Sequence, residues 1–129
     1  MSLNKIAVEH ISKLTPINRY KFFIKRIADF EEMWTIIGTD GEFALSKIDK
    51  HALVSFWSDE PFIKSNLTDS WKKCISFKLS LEDFNNTFFK LVSDNNYLMN
   101  IFPVNGKSGF VVNLEEFVRD LNEELEQYE

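Results

Sequence analysis

The sequence predicts an α+β fold in which helices pack on an antiparallel or mixed sheet. One phrase occurs twice: Ser80 to Phe84 and Asn113 to Phe117 both read capping residue, Leu, acid, acid, Phe. Each copy follows an apolar run typical of a strand and opens an amphipathic pattern, so each marks a strand-to-helix junction. Turn signals elsewhere separate short strands into hairpins. Hairpins that alternate with helices favour an antiparallel or mixed sheet.

The first thirty residues predict two helices. Ser2 to Lys13 carries apolar residues near helical spacing. Thr15-Pro16 predicts the end of the first helix and the start of the second, because Thr caps helices well and Pro fits the first helical position. The second helix runs from Pro16 to Phe30 with one apolar side, and Phe22 projects among the charges of the opposite side. Those charges are basic: Arg19, Lys21, Lys25 and Arg26.

Three strands are predicted next. Met33 to Thr39 is the first, Asp40-Gly41 is a hairpin turn signal, and Glu42 to Leu45 is the returning strand. The polar residues from Ser46 to His51 predict a connection. Ala52 to Trp57 is the third strand.

A short helix and a fourth strand follow. Asp59-Glu60-Pro61 predicts the start of a helix that ends near Leu67. Cys74 to Leu79 is the fourth strand, and it leads into the first copy of the repeated phrase. The helix opened by that copy ends at Asp94-Asn95-Asn96.

The last third of the chain predicts a hairpin and a helix. Tyr97 to Pro103 is a strand, Asn105-Gly106 a turn, and Gly109 to Val112 the partner strand. The apolar stripe of the final helix contains Leu114, Phe117, Val118, Leu121, Leu125 and Tyr128. The element order is therefore α-α-β-β-β-α-β-α-β-β-α, and we expect residues 1–129 to form a single domain.

Composition indicates a globular protein. The 129 residues are 44% hydrophobic and include 13 Phe, so a core can form without disulfides or metal. Cys74 is the only cysteine and cannot form a disulfide within the chain. No signal-peptide pattern and no apolar run of about 20 residues is present, so we expect a cytoplasmic protein that does not enter a membrane.

The negative charge is concentrated on the last helix. Residues 113–129 contain seven acidic residues and one arginine, a balance of −6 against −5 for the whole chain. A nucleic-acid-binding protein would present a basic stripe instead, so we expect no nucleic-acid partner. Glu123, Glu124 and Glu126 are candidates for attracting a basic protein partner, although a solvated helix face, which needs no partner, is the commoner explanation of such a charge run.

The sequence also resembles a bacterial family catalogued as domain of unknown function 2750. The matching landmarks are Glu32-Met33-Trp34, Leu53 to Trp57, Pro61, Phe62, Trp71, Leu81, Phe84, Ile101-Phe102-Pro103, Gly106, Gly109 and Val111-Val112. Their order and spacing cover most of the chain. The resemblance implies a small stand-alone bacterial domain. It implies no activity and no catalytic residues, because none is established for the family.

No catalytic or cofactor-binding motif is recognisable. His10 and His51 show no spacing that suggests a triad, and we interpret both as surface residues. Lys72-Lys73 precede Cys74 and would favour a reactive thiolate, but a half-buried strand cysteine is the simpler interpretation. We therefore expect no metal and no cofactor. The paired acids Glu82-Asp83 and Glu115-Glu116 are explained by the positive end of the helix dipole.

The tryptophans are the best candidates for a binding surface. Trp34 begins a strand, Trp57 ends one, and Trp71 leads into one. Strand ends gather at the rim of a sheet, where Trp34, Trp57, Trp71 and Phe62 would line an apolar groove. The alternative is that these side chains close one end of a Phe-rich core.

We therefore expect a non-enzymatic binding module with an unknown, basic protein partner. Bacterial immunity proteins are often small acidic α+β domains, and the comparison with them is an analogy only. The second hypothesis is a small-molecule-binding domain with an aromatic pocket near Trp34, Trp57 and Trp71. An enzyme that uses Cys74 is the third.

Overall fold

The computed structural model describes residues 4–64, 71–104 and 107–127, and it confirms the α+β fold and the predicted order of elements. The strands are β1 (Glu32–Ile37), β2 (Leu45–Ile48), β3 (His51–Phe56), β4 (Ile75–Ser80), β5 (Leu98–Ile101) and β6 (Phe110–Val112). The helices are α1 (Lys5–Ser12), α2 (Pro16–Phe30), α3 (Pro61–Lys64), α4 and α5 (Leu114–Glu126). Helix α4 joins Leu81–Asp83, a π-helical turn at Phe84–Phe88, and Phe89–Asp94.

The predicted helix starts are confirmed by their caps. Thr15 accepts a hydrogen bond from the Asn18 N–H at 3.4 Å, with Pro16 as the first helical residue. In the two copies of the repeated phrase, Ser80 accepts from the Asp83 N–H at 2.9 Å and Asn113 from the Glu116 N–H at 2.8 Å. Each cap satisfies a first-turn N–H that the helix leaves unpaired. The repeated phrase therefore has the same local geometry at both sites.

Two sheets form the strand layer. The larger has the order β2-β3-β5-β6, with β3 and β5 parallel and the other pairs antiparallel. The smaller is the antiparallel pair β1-β4. Trp34 and Trp57 join the sheets through two backbone hydrogen bonds, each 2.8 Å long. The predicted mixed arrangement is thus confirmed, and the parallel pair arises because a long connection separates β3 from β5.

The predicted second strand was misplaced. The chain does turn after β1, where Gly41 has a φ of 81° and Phe43 bridges to Ile37. However, β2 begins at Leu45 and pairs with β3, so the polar stretch that we predicted as a connection is largely strand. The connection itself is only Asp49-Lys50. An edge strand half-exposed to solvent accepts polar residues, which is why composition misled the prediction.

Helix α2 is central to the core and packs on two sides. Its predicted apolar stripe is buried, and Phe23 and Ile27 are fully enclosed. Phe22 lies between Arg19 and Arg26 on the basic side, as predicted, and all three side chains make contacts there. Helix α2 therefore packs against α5 on one side and against α3 on the other.

Some predicted features lie outside the described residues. They are the end of the third helix near Leu67, the Asn105-Gly106 turn, and Tyr128. The predicted start of the first helix at Ser2 was wrong, because Asn4 is extended and caps a helix that begins at Lys5. Among the described residues, no helix combines the length and the apolar character needed to cross a bilayer.

Candidate functional site

The three tryptophans are brought together, but the central one is buried. Trp57 is 0% exposed, and its ring meets the half-buried Trp71 edge-on with centroids 6.1 Å apart. Its indole N–H donates to the carbonyl oxygen of Pro103 at 2.9 Å. Trp34 is half-buried and bridges to Trp57 through the backbone. Trp57 therefore belongs to the core, which is the alternative that the sequence left open.

Phe62 is also a core residue. It is 1% exposed and packs edge-on against Phe102, with ring centroids 4.5 Å apart. Phe22 from α2 completes this cluster at 6.1 Å from Phe102. Of the predicted aromatic groove, only Trp34 and Trp71 retain partial exposure.

The segment Ile101-Phe102-Pro103 is held from several directions. Phe102 has a φ of 63°, which is rare for a bulky side chain and requires support from its surroundings. Its carbonyl accepts from Arg19 Nε at 3.0 Å, and its N–H donates to the Phe56 carbonyl at 2.8 Å. Gly109 lies against the same segment, because a Cβ there would be 1.9 Å from the carbonyl oxygen of Ile101. The backbone of this segment is therefore held in place by α2, by β3 and by the close approach of Gly109.

Two arginines of α2 have structural partners. Arg19 is 5% exposed and donates to the carbonyls of Phe102 and Leu14, and burial lowers the pKa of its guanidinium. Arg26 pairs with Asp59 at 3.0 Å and lies 4.3 Å above the ring of Phe30. The basic side of α2 therefore joins the helix to the loop after β3, in addition to facing solvent.

The surroundings of the Cys74 thiol do not activate it. Burial, followed by the nearby carboxylate of Asp40, raises the pKa of Cys74, which opposes the effect expected from Lys72-Lys73. His10 is exposed on the last turn of α1. His51 is exposed at the start of β3, where a loop was predicted. No three His, Cys, Asp or Glu side chains in the described part of the chain lie close enough to hold a metal ion.

A groove lies between the second half of α4 and the start of α5, and we name it the α4–α5 groove. Its volume is about 840 Å³. The first residues of β3 and β5 close its inner end. The apolar lining residues are Phe89, Val92, Tyr97, Leu98, Leu114 and Val118, and the polar ones are His51, Ser93, Asn96, Asn113 and Glu115. Apolar walls with a few polar groups at the rim are typical of binding sites.

The π-helical turn of α4 sets one wall of the groove. Within this turn the Phe89 N–H bonds to the carbonyl of Phe84, five residues earlier. Phe84 and Phe88 are both buried, whereas Phe89 is 40% exposed and lines the groove. Two aromatic rings of this turn are thus in the core, and the ring that follows them is at the surface. π-helical turns occur often at functional sites.

Cap geometry fixes both ends of the groove. At the end of α4, the Tyr97 N–H bonds to the Val92 carbonyl and the Asn96 N–H to the Ser93 carbonyl, while Asn96 has a φ of 54°. This is the Schellman arrangement, and it directs the chain into β5. At the start of α5, the Asn113 side chain is occupied by its cap bond. Asn96 therefore shapes the rim through its backbone conformation, and Asn113 does so through its side-chain cap.

The acidic residues of α5 point in different directions. Successive helical residues turn by about 100°, so Glu126 returns to within about 20° of the groove-lining Glu115. By the same spacing Glu124 faces the opposite side, and Glu123 lies between them. Asp120 accepts a hydrogen bond from the Tyr20 hydroxyl at 2.7 Å, which joins α5 to α2. The three predicted surface acids therefore do not form one patch.

Comparison with known families agrees with the landmarks in the sequence. Residues 20–121 match the family described as Protein of unknown function (DUF2750). The chain belongs to this family. The DUF2750 match includes every residue that lines the α4–α5 groove, but it ends before Glu123, Glu124 and Glu126. No curated protein matches the chain in sequence.

Sequence reasoning missed the groove for an identifiable reason. Its walls are ordinary helix and strand residues that come from four separate elements. The one available signal was Phe89, which directly follows Phe88 and cannot share its buried side in a regular helix. A second consecutive Phe on an otherwise amphipathic helix indicates an exposed aromatic side chain.

Proposed function

We propose that this protein is a non-catalytic binding module that holds an apolar segment of a protein partner in the α4–α5 groove. The observation that carries the proposal is the exposed Phe89 on an open, apolar groove between two helices. Grooves of this kind accept amphipathic segments, whose apolar side chains replace water on the walls. A large exposed aromatic side chain on such a wall is the usual type of binding hot spot.

Charge supports a partner with basic residues beside its apolar ones. Glu115 lies on the rim, and Glu126 follows on the same side of α5 three turns later. Both carboxylates are exposed, so they would act mainly on the rate of encounter and on orientation. A basic toxin, the partner type suggested by the immunity-protein analogy, is one instance of this chemistry.

The polar groups of the groove favour binding over catalysis. His51 and Ser93 both line the groove, but within the described residues no hydrogen bond joins them. A nucleophilic serine needs a base in hydrogen-bonding contact and a third group that orients the base. The side-chain oxygen of Asn113, at the start of α5, already accepts the cap hydrogen bond from the Glu116 N–H. The proposal therefore assigns no reaction to this site.

The test is selection from a random peptide library with immobilised wild-type protein. We expect enriched peptides that combine large apolar residues with Lys or Arg. Phe89→Ala should weaken their binding at least about tenfold, equivalent to about 1.4 kcal/mol. Phe30→Ala is the matched control, because Phe30 is 41% exposed and lies outside the groove. Glu115→Lys should reduce the selection of basic residues.

Two results would overturn the proposal. One is the absence of any enriched peptide whose binding depends on Phe89. The other is equal loss of binding in Phe89→Ala and Phe30→Ala. If a small molecule instead raised the melting temperature of the wild type and not of Phe89→Ala, a small-molecule ligand would replace the protein partner.

A further inference from the structure

Within residues 4–64, 71–104 and 107–127, one edge of strand β4 has no strand paired with it. In the described residues it pairs only with β1, in a register that sets Thr35 opposite Phe77. The N–H and C=O groups of Trp34 bond to Trp57. Because these groups alternate in direction along a strand, those of the residues on either side of Trp34 point toward β4. Their cross-strand partners are Leu79 and Phe77, so the odd-numbered residues of β4 direct their N–H and C=O groups toward β1. The N–H and C=O groups of Ser76 and Lys78 therefore point outward, away from β1.

The side chains next to this edge are unusually apolar. Ile75 is 59% exposed and Phe77 is 39% exposed, although both lie on a regular strand. An open edge with exposed apolar residues is a template for pairing with another strand. The free edge of β2 also has exposed apolar residues, Leu45 and Ile48. That strand is only four residues long, whereas β4 has six.

We propose that two copies of this chain associate through antiparallel pairing of their β4 edges. The register that we assign sets Phe77 opposite Phe77 of the second copy. Ser76 of each copy then faces Lys78 of the other, and these outward residues exchange backbone hydrogen bonds. Ile75 faces Leu79 of the second copy on the same face as the paired Phe77 rings. This register also separates the two Lys78 side chains, which the neighbouring register centred on Lys78 would bring together.

The charges at the two ends of β4 are complementary in this arrangement. Lys72 and Lys73 precede the strand, and Glu82 and Asp83 follow it; all four are exposed. Antiparallel pairing brings the basic end of each copy to the acidic end of the other. The β2 edge lacks this property, because Glu42 precedes it whereas the charges of Asp49 and Lys50 after it cancel. Charge therefore selects the β4 edge and a second copy as its occupant.

Sedimentation velocity over a concentration series tests the association. We expect the wild type to shift from monomer to dimer, with the weak affinity of a small interface. Lys78→Pro removes the outward N–H and should abolish the dimer. The monomer should still fold, because proline is tolerated on an edge whose N–H faces solvent. Lys78→Ala is the matched control, because it removes the same side chain and keeps the N–H. It should associate like the wild type.

Charge exchange provides a test that does not depend on proline. The variants Lys72→Glu with Lys73→Glu, and Glu82→Lys with Asp83→Lys, should each associate at least about tenfold more weakly than the wild type, because like charges meet at both ends. Mixed together, they should form a heterodimer, because opposite charges meet again.

Cross-linking tests the register. In a Cys74→Ser background, Phe77→Cys should oxidise to a disulfide-linked dimer, since paired residues across a non-hydrogen-bonded position lie within disulfide distance. Ile75→Cys should not, because the two introduced thiols would be about 13 Å apart along the strands. A wild type that stays monomeric throughout the series, a Lys78→Pro variant that dimerises normally, or failure of the mixed charge variants to associate would overturn the proposal.

Discussion

The tryptophan cluster (Trp34, Trp57, Trp71) and the α4–α5 groove differ in how their aromatic side chains are used. In the cluster, the ring of Trp57 is enclosed and its N–H is bonded to Pro103. In the groove, Phe89 is 40% exposed on an apolar wall. The most buried of the three tryptophans is thus a core residue. The open site is made from residues whose identities are unremarkable in the sequence.

The two regions also differ in what holds the backbone. The segment at Phe102 has a left-handed φ and is fixed by Arg19, Phe56 and the close approach of Gly109. The groove is bounded by helix ends whose caps are local. We therefore expect mutations near Phe102 to affect stability and mutations in the groove to affect binding.

The largest expected difference is between Trp57→Ala and Phe89→Ala. Truncating the enclosed indole should lower the free energy of unfolding by about 3–5 kcal/mol, because it leaves a cavity and an unpaired carbonyl. Truncating the half-exposed Phe89 should cost less than about 1 kcal/mol. Chemical denaturation of both variants measures these values. Similar midpoints for the two would contradict the distinction between core cluster and open groove.

Gly109→Ala should have the next largest effect. The added Cβ would collide with the backbone of Ile101 and Phe102, so strands β5 and β6 must separate locally, at a cost of about 3 kcal/mol or more. Gly41→Ala is the control. Gly41 has open space around its Cβ position and a φ of 81°, so only local backbone strain of about 1 kcal/mol is expected. A tolerated Gly109→Ala would mean that the segment at Phe102 is not rigidly held.

Mutating the two helix caps compares the two copies of the repeated phrase directly. Ser80→Ala and Asn113→Ala should each cost roughly 0.5–2 kcal/mol, because each removes one acceptor from a first-turn N–H. Only Asn113 borders the groove, so only Asn113→Ala should also weaken peptide binding. Loss of binding in Ser80→Ala would indicate that the groove depends on the whole of α4 and not on its own rim.

The hydrogen bond between Tyr20 and Asp120 should make the difference in stability between the wild type and Tyr20→Phe depend on pH. Burial, then the hydrogen bond to Asp120, raises the pKa of the Tyr20 hydroxyl. Because the pKa is higher in the folded than in the unfolded state, this stabilisation is complete below about pH 10 and is lost as the pH rises further. Tyr20→Phe should cost about 1 kcal/mol at neutral pH, and the gap to wild type should narrow above pH 10. Denaturation midpoints of both proteins across this range measure the effect. A constant gap would contradict it.

Local signals in the sequence predicted most of the fold. Thr15-Pro16, Ser80 and Asn113 mark helix starts through contacts within three residues, so no tertiary information was needed. The order of elements and the mixed sheet followed from the same signals. The β2 strand was misplaced because an edge strand lacks the apolar pattern that identifies buried strands.

Capping signals and apolar periodicity were enough to predict the elements, their order and the faces that must be buried. Which tryptophans lie in the core, and where a groove opens, depended on how distant segments pack together. The indole of Trp57 is enclosed because Pro103, 46 residues later, lies against it. Phe89 directly follows the buried Phe88 and faces away from the core, and the other walls of its groove come from β3, β5 and α5. Burial depends on contacts between distant segments, whereas capping and periodicity depend only on neighbours, and that is why the groove was visible only in the folded chain.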